Sequence, residues 1–423
     1  MVTNASLPVS AIERMAFLKA GTIRTSEELS RCENYIQTTG MAVAFEVQKR
    51  VNPIVESMNY TSLALDYKSW ISEGILPWAS KRKIILDEIQ KYLHMGMYSV
   101  QDDKQIAEKA RLRGIMVDSL GTQWLVNHRH DDPVIEFLLE KRNVDQFLKR
   151  FVTDLPGPDS SGVSLLTGKW DAYSSFSGRI AASHLAMTGL PRAMRNYYVA
   201  PNIDGKKAVY VSFDESQIEL RLLAGYANCT KLLAQLLSGE DIHRYFASRL
   251  FGVPEDTVSE QMRRLSKKII YGTVYGAGSK RLHEISAKSG FKVVISPGEL
   301  LKQLYPEMLS ALRRFRQSDV IWYGLQPTKF SPRIGDTEIP LPTKQNLSIQ
   351  SASSMLLKQA LVRLPDDIRI VNIIYDEIIC WCKADEVPSV SRQIRKAYEL
   401  AATDLHYQIP LTKLIKTQIL GGN

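Results

Sequence analysis

Between about residue 30 and residue 151, apolar positions recur at close to helical intervals. The clearest stretch runs from Asp132 to Phe151, where Val134, Phe137, Leu138, Val144, Phe147, Leu148 and Phe151 predict one buried helical face. Lys141, Arg142, Lys149 and Arg150 are expected on its solvent side or facing a polyanion. The run Leu155-Pro156-Gly157-Pro158-Asp159 cannot continue a helix, because proline lacks the amide donor, so a boundary is expected there. The texture then changes. Ala208-Val209-Tyr210-Val211-Ser212-Phe213, rich in β-branched and aromatic side chains, reads as a buried strand leading into Asp214, with a helix from Leu220 to Tyr226 behind it. Asp241 to Phe315 reads as helix-rich, and Asp367 to Cys382 as two apolar runs flanking a polar turn, Tyr375-Asp376-Glu377. Two acidic centres far apart in sequence are thus expected at strand ends, where one sheet could join them.

Composition narrows the class. A chain of 423 residues that is 44% hydrophobic can bury two or three cores, so a multi-lobed globular protein is expected. The net charge of +9 permits a nucleic-acid partner without demanding one. Cys32, Cys229, Cys380 and Cys382 form no C-x-x-C pair or Cys/His cluster of zinc-site spacing, which leaves reduced thiols in a cytosolic setting as the simplest reading. No basic segment followed by an apolar run opens the sequence, and nothing approaches the roughly eighteen apolar residues of a membrane span, so neither secretion nor a membrane span is expected. Asn4-Ala5-Ser6 fits a glycosylation sequon by chance on that reading.

The chemistry suggested by two carboxylates on neighbouring strands is the holding of divalent ions, since Mg²⁺ takes oxygen ligands and needs no His or Cys. Either aspartate alone is more often a turn or cap residue. The balance shifts because Arg263, Lys267, Tyr271 and Tyr275 recur every fourth residue and so share a slowly rotating helix face, cations at one end and rings at the other. Cations suit phosphate and rings suit a base pair. Asp241-Ile242-His243-Arg244 offers another phosphate contact, and Gly272 and Gly276, each following a tyrosine, are expected where something approaches the backbone closely.

These residues resemble a known family. Asp214-Glu215-Ser216-Gln217-Ile218-Glu219-Leu220-Arg221 looks like motif A of family A DNA polymerases, the bacterial polymerase I type. Arg263-x-x-x-Lys267-x-x-x-Tyr271-Gly272-x-x-Tyr275-Gly276 is similar to motif B, and Tyr375-Asp376-Glu377 resembles motif C, usually His-Asp-Glu. Weaker similarity at Ser177-Gly178-Arg179, Asp241 to Arg244, Asn346 and Gln350 extends the likeness over roughly residues 40 to 415.

The resemblance implies an α/β (α+β) right-hand polymerase fold with an antiparallel-sheet palm, helical fingers and a helical thumb. Its implied division is an N-terminal segment 1–45, thumb 46–165, palm 166–216 and 341–423, and fingers 217–340. Asp214 and Asp376 become ligands of two Mg²⁺ ions, or of Mn²⁺, with the Glu215 carbonyl as a further ligand and Glu377 as an auxiliary carboxylate. Arg263, Lys267 and His243 would hold the triphosphate, Lys267 also protonating the leaving pyrophosphate. Tyr271 would lie against sugar and base, Tyr275 near the templating position, and Gln217 beside the nucleotide. Glu219 would exclude a 2′-hydroxyl and so favour dNTPs. Arg179, Asn346, Gln350 and Tyr375 would contact primer-template DNA in a sequence-insensitive way.

Some positions depart from the family pattern. Tyr375 replaces the usual His. Pro342 stands where many relatives carry a basic residue, for which Lys344 is expected to compensate. No D-x-E precedes residue 166, so no 3′–5′ exonuclease and no 5′ nuclease are expected, any editing or processivity subunit being a separate chain. The implied setting is the cytoplasm of a bacterial or phage-infected cell, away from membranes. Two other functions fit less well. A single-subunit RNA polymerase should carry a small residue at Glu219, and a catalytically inactive nucleic-acid-binding accessory subunit should have lost an aspartate.

Overall fold

The apolar run ahead of Asp214 forms strand β1, Ala208–Glu215, in a computed structural model that describes residues 7–185, 187–287 and 290–421. The sequon at Asn4 and the terminal Gly422 and Asn423 lie outside the described residues. The β-branched and aromatic side chains of β1 suit a strand covered on both faces, and Tyr210, Val211, Ser212 and Phe213 are all buried. The apolar runs around Asp376 form a hairpin of β2, Arg369–Ile374, and β3, Glu377–Lys383. Ile374 pairs with Glu377, which leaves only Tyr375 and Asp376 to make the turn. With β4, Ile415–Leu420, these strands form an antiparallel sheet in the order β2-β3-β1-β4.

Register decides which side chains meet. Asp214 lies opposite Glu377 on one side and Lys416 on the other. Opposed residues of an antiparallel pair share a face, so Asp214, Glu377 and Lys416 point one way while Glu215 and its partner Ile415 point the other. Lys416, Thr417, Gln418 and Ile419 are exposed along the edge strand, where a lysine and polar side chains discourage pairing with a stray strand.

Six helices frame this sheet and its site: α1 Ala42–Ser57, α2 Ile218–Tyr226, α3 Ile242–Phe251, α4 Glu260–Val274, α5 Leu341–Arg363 and α6 Val387–Asp404. Asp241 caps α3 by accepting the His243 and Arg244 amide hydrogens, and the Ser259 hydroxyl caps α4 at Met262. Helix α4 buries Leu265, Ser266, Ile269, Ile270 and Val274, which turns Arg263 and Lys267 outward. Helix α5 packs against both α1 and α6 and is buried on nearly every side. Its serines 348, 351 and 354 fit this crowding because each hydroxyl bonds a backbone carbonyl.

The chain forms two compact units, one of Met1–Ser62, Thr167–Gly189 and Pro201–Leu420, the other of Leu63–Leu166, Leu190–Ala200 and Gly421–Asn423. The first holds the four-stranded sheet and the six helices above. The second is built on helices Leu76–Leu93, Asp103–Arg111, Thr122–His128 and Pro133–Leu148, around a core that includes Ile89, Ile106, Leu125, Val134, Leu138 and Val144. The expected helix from Asp132 thus forms, with Asp132 as its cap and Pro133 in its first turn. Two features differ from expectation. A strand at Leu63–Asp66 pairs with Val163–Leu166 inside the region read as helical. Lys141 does not face solvent. It is buried and bonds Asp103 at 2.8 Å and Asp145 at 2.9 Å, while Arg142 pairs with Asp103 at 3.4 Å. An anion presented by a neighbouring helix offsets the cost of burying that cation, and Lys149 and Arg150 are exposed as expected.

Candidate active site

The end of β1 and the β2–β3 turn are tied together by the Glu215 amide hydrogen, which the Asp376 carbonyl accepts at 3.2 Å. Asp214 and Asp376 are thereby held in one corner. Burial pushes the Asp376 carboxyl up to about 6, and the nearby Asp214 pushes the same way, with smaller contributions from Glu219 and Glu377. Carboxylates that resist ionising beside one another are relieved by a bound cation. Glu377 is buried and accepts the Ser212 hydroxyl. The Glu215 side chain lies on the opposite face, takes the Tyr398 hydroxyl, and is held well above the usual carboxylate range by burial and then by Asp376.

Among the described residues, no group of three or more His, Cys, Asp or Glu side chains forms a ready-made metal cage. Mg²⁺ is commonly held by one or two carboxylates with water and substrate phosphates completing the shell. Asp214, Asp376 and a backbone carbonyl at Glu215 fit such a donor set. Four of the sequence-derived residues each keep a buried polar atom with no partner among the described residues: Glu215 Oε2, Gln217 Oε1, His243 Nδ1 and Asn346 Oδ1. Orphaned atoms are rare in a folded interior.

The outward face of α4 lies beside this corner. Burial raises the Tyr271 hydroxyl above its ordinary range, and Glu219, Asp376 and Asp214 all add to the effect, so the ring sits within the field of the acidic group. Lys267 Nζ lies 5.7 Å from the Tyr271 ring, and the His243 ring 5.9 Å from it. His243 is pushed down to about 4, chiefly by burial and further by Lys267 and Arg263, so it is neutral at physiological pH. Arg263 is engaged: its Nε bonds Asp241 Oδ2 at 2.6 Å. Tyr275 falls just past the last residue of α4 and donates its hydroxyl to Glu219 Oε2 at 2.6 Å. Glu219 is buried and also pairs with Arg179 at 3.6 Å. Arg179 in turn lies over the Tyr375 ring at 5.4 Å.

Of the two glycines expected at a close approach, Gly276 has one and Gly272 does not. Gly276, at φ 86°, receives the α4 end: its amide hydrogen bonds the Thr273 carbonyl and that of Ala277 bonds the Gly272 carbonyl, a Schellman closure. What approaches Gly276 is Pro342 of this same chain, whose Cα would lie 2.9 Å from an added Cβ. Gly272 has only ordinary contact, with Leu282 at 3.4 Å. Lys344 does not compensate for Pro342. It is buried and donates to the Ser318 carbonyl at 2.6 Å.

Sequence reading missed several supports. Gln345 Nε2 donates to the Thr273 and Val274 carbonyls at 2.8 Å each and so secures the end of α4. Asn346 and Gln350 continue along α5 at four-residue spacing into Ser354 and Lys358. Ser354 Oγ donates to the Gly178 carbonyl at 2.6 Å, and Lys358 Nζ lies 4.6 Å from the Tyr173 ring while donating to Gln48. One helix face thus carries two expected DNA contacts and two residues that hold the turn presenting Arg179. The spacing of Asn346, Gln350, Ser354 and Lys358 was the available signal.

The sequence matches the model of DNA polymerase family A over residues 92–293. Curated relatives include DNA polymerase I of Aquifex aeolicus, 27% identical over 252 residues, covering 55% of this chain and 42% of the relative. Another is the thermostable DNA polymerase I of Thermus thermophilus, 25% identical over 298 residues, covering 64% of this chain and 35% of the relative. The chain therefore spans well under half the length of these relatives. Its fold is similar to the solved POL domain of Pol1 from M. smegmatis, described in complex with DNA primer-template and dNTP, at a TM-score of 0.67 and 18% identity, over 93% of this chain and 72% of that one. The expected mixed fold with an antiparallel sheet is thus present, and residues 92–293 are similar to DNA polymerase family A.

Proposed function

We propose that this chain extends a primer along a DNA template, joining dNTPs by nucleotidyl transfer with two divalent ions, Mg²⁺ or Mn²⁺. The observation that carries the reading is the corner where Asp214 and Asp376 meet beside the outward face of α4. Asp214, Asp376 and the Glu215 carbonyl would hold the ions, with Glu377 alongside. Such ions stabilise charge on both the attacking 3′-oxygen and the leaving pyrophosphate.

The remaining work belongs to side chains. Lys267 and Arg263 grip the triphosphate, Arg263 exchanging Asp241 for phosphate, and Lys267 supplies a proton to the departing pyrophosphate. His243, being neutral, contributes a hydrogen bond and no charge. Tyr271 supports sugar and base, Gln217 lies beside the nucleotide, Glu219 closes the space a 2′-hydroxyl would need, and Tyr275 lies near the templating base. Arg179, Asn346, Gln350 and Tyr375 contact the primer-template. The first compact unit would supply palm and fingers, and the second, from Leu63, the thumb. The setting is assigned to the cytoplasm.

The test is primer extension by the purified chain with Mg²⁺ and dNTPs on a DNA template. Extension that stops when Mg²⁺ is chelated supports the reading. Binding of primer-template without extension under any divalent ion would leave the accessory-subunit reading in its place.

A further inference from the structure

The turn that carries Asp376 holds one residue in a costly conformation. Tyr375 opens it at φ 58°, a left-handed backbone that glycine adopts freely and that a residue with a Cβ adopts only under constraint. Burial does not explain the choice, because Tyr375 is 59% exposed. What its ring meets is Arg179, whose guanidinium lies 5.4 Å from the ring centroid. The backbone beneath Arg179 is already fixed: its carbonyl accepts both the amide and the hydroxyl of Ser174, and the neighbouring Gly178 carbonyl accepts Ser354. Only the long side chain is left to place, and two groups place it, the Tyr375 ring and the Glu219 carboxylate at 3.6 Å. Glu219 is held from its other side by the Tyr275 hydroxyl at 2.6 Å. The four side chains therefore form a chain of contacts from the exposed turn to the buried carboxylate.

We infer that Tyr375 is a positioning residue for sugar selection: its ring fixes Arg179, and Arg179 fixes the carboxylate that meets the 2′ position of the incoming nucleotide. The inference rests on the polymerase reading above. Without the ring, Arg179 has no shelf and swings toward solvent, and Glu219 keeps only the Tyr275 bond on one oxygen. A carboxylate held from one side can yield to a 2′-hydroxyl that a doubly held one repels.

The measurement is the ratio of catalytic efficiencies for a matched dNTP and its rNTP. Any contact of Tyr375 with the primer is common to both substrates and cancels in that ratio. Tyr375→Ala should lower it about two- to fivefold, the range of an exposed cation–π contact. Tyr375→Phe, which keeps the ring, should restore it. In a Glu219→Ala background, Tyr375→Ala should lower the ratio no further, because the carboxylate through which it acts is gone. An unchanged ratio in Tyr375→Ala, or the same drop with and without Glu219, overturns the inference while leaving the polymerase reading intact. A wild-type chain that extends no primer removes the polymerase reading first and this one with it.

Discussion

Asp214 and Asp376 gather negative charge in a partly buried corner, and the upward push on Asp376 is the measure of how poorly that corner tolerates it without a cation. On the polymerase reading proposed above, removing either carboxylate would remove charge stabilisation at the reacting phosphorus and leave the residues proposed to contact DNA alone. Asp214→Ala and Asp376→Ala should each cut primer extension by about a hundred- to a thousandfold, by analogy with the loss of one preorganised stabilising group, with primer-template affinity changed by less than about threefold. Turnover within tenfold of wild type in either variant would sink the metal assignment. His243 allows a separate test, because its neutral form is the one the fold favours. The unfolded chain takes up this proton near the ordinary value of 6.5 and the folded chain only near about 4. Stability from this group is therefore present in full above pH 6.5 and drains as pH falls toward 4, by a few kcal/mol at most. Urea unfolding of wild type and His243→Gln at pH 7 and pH 4.5 should show the stability gap narrowing in acid. A gap that does not move with pH would mean the imidazole is not held neutral by burial. All three residues, Asp214, Asp376 and His243, were singled out in the sequence by motif spacing. Ser354 and Lys358 were missed, since their four-residue spacing from Asn346 and Gln350 was the only signal and it names no role until the turn they hold is in place.

At the scale of elements, strand β1, the β2–β3 hairpin and α4 were all readable from pattern, because each is a run of one period bounded by polar or turn residues. Their mutual register was not readable. That Glu377 faces Asp214 and Lys416 flanks it follows from pairing across the sheet, which no single segment encodes. The end of α4 shows the same limit. Gly276 was marked by the sequence as a place of close approach, yet the approaching group, Pro342 at the start of α5, belongs to the chain itself. A side chain at Gly276 would both sit in left-handed backbone, costing about 1–2 kcal/mol, and meet Pro342 Cβ at 2.8 Å. Gly276→Ala should therefore destabilise the protein by about 2–4 kcal/mol in chemical denaturation, the clash adding to the backbone cost. Adding Pro342→Gly should return part of the loss. A Gly276→Ala midpoint indistinguishable from wild type would show that α4 and α5 do not meet as described.

Across the whole molecule, what divides the chain is a pairing that periodicity cannot detect. Leu63–Asp66 is a short apolar strand inside a helical region, and its partner Val163–Leu166 lies at the other end of the second unit, so the two close that unit on itself. The core within is its own, and Lys141 is fastened into it by Asp103 and Asp145. Lys141→Met keeps an unbranched side chain one atom shorter and deletes the charge, which leaves two partly buried carboxylates. Arg82 still bonds Asp145 at 2.5 Å and Arg142 still reaches Asp103, so the loss should fall short of the full cost of breaking a buried pair, at about 1–3 kcal/mol. If each unit is stabilised by its own core, that loss is local. Hydrogen exchange followed by peptide should then quicken about tenfold or more in helices Leu76–Leu93 and Pro133–Leu148 while β1 and the β2–β3 hairpin exchange as before. Equal acceleration in both units would mean they open as one cooperative body, and no acceleration anywhere would mean that the buried ion pairs of Lys141 contribute nothing to holding the second unit together.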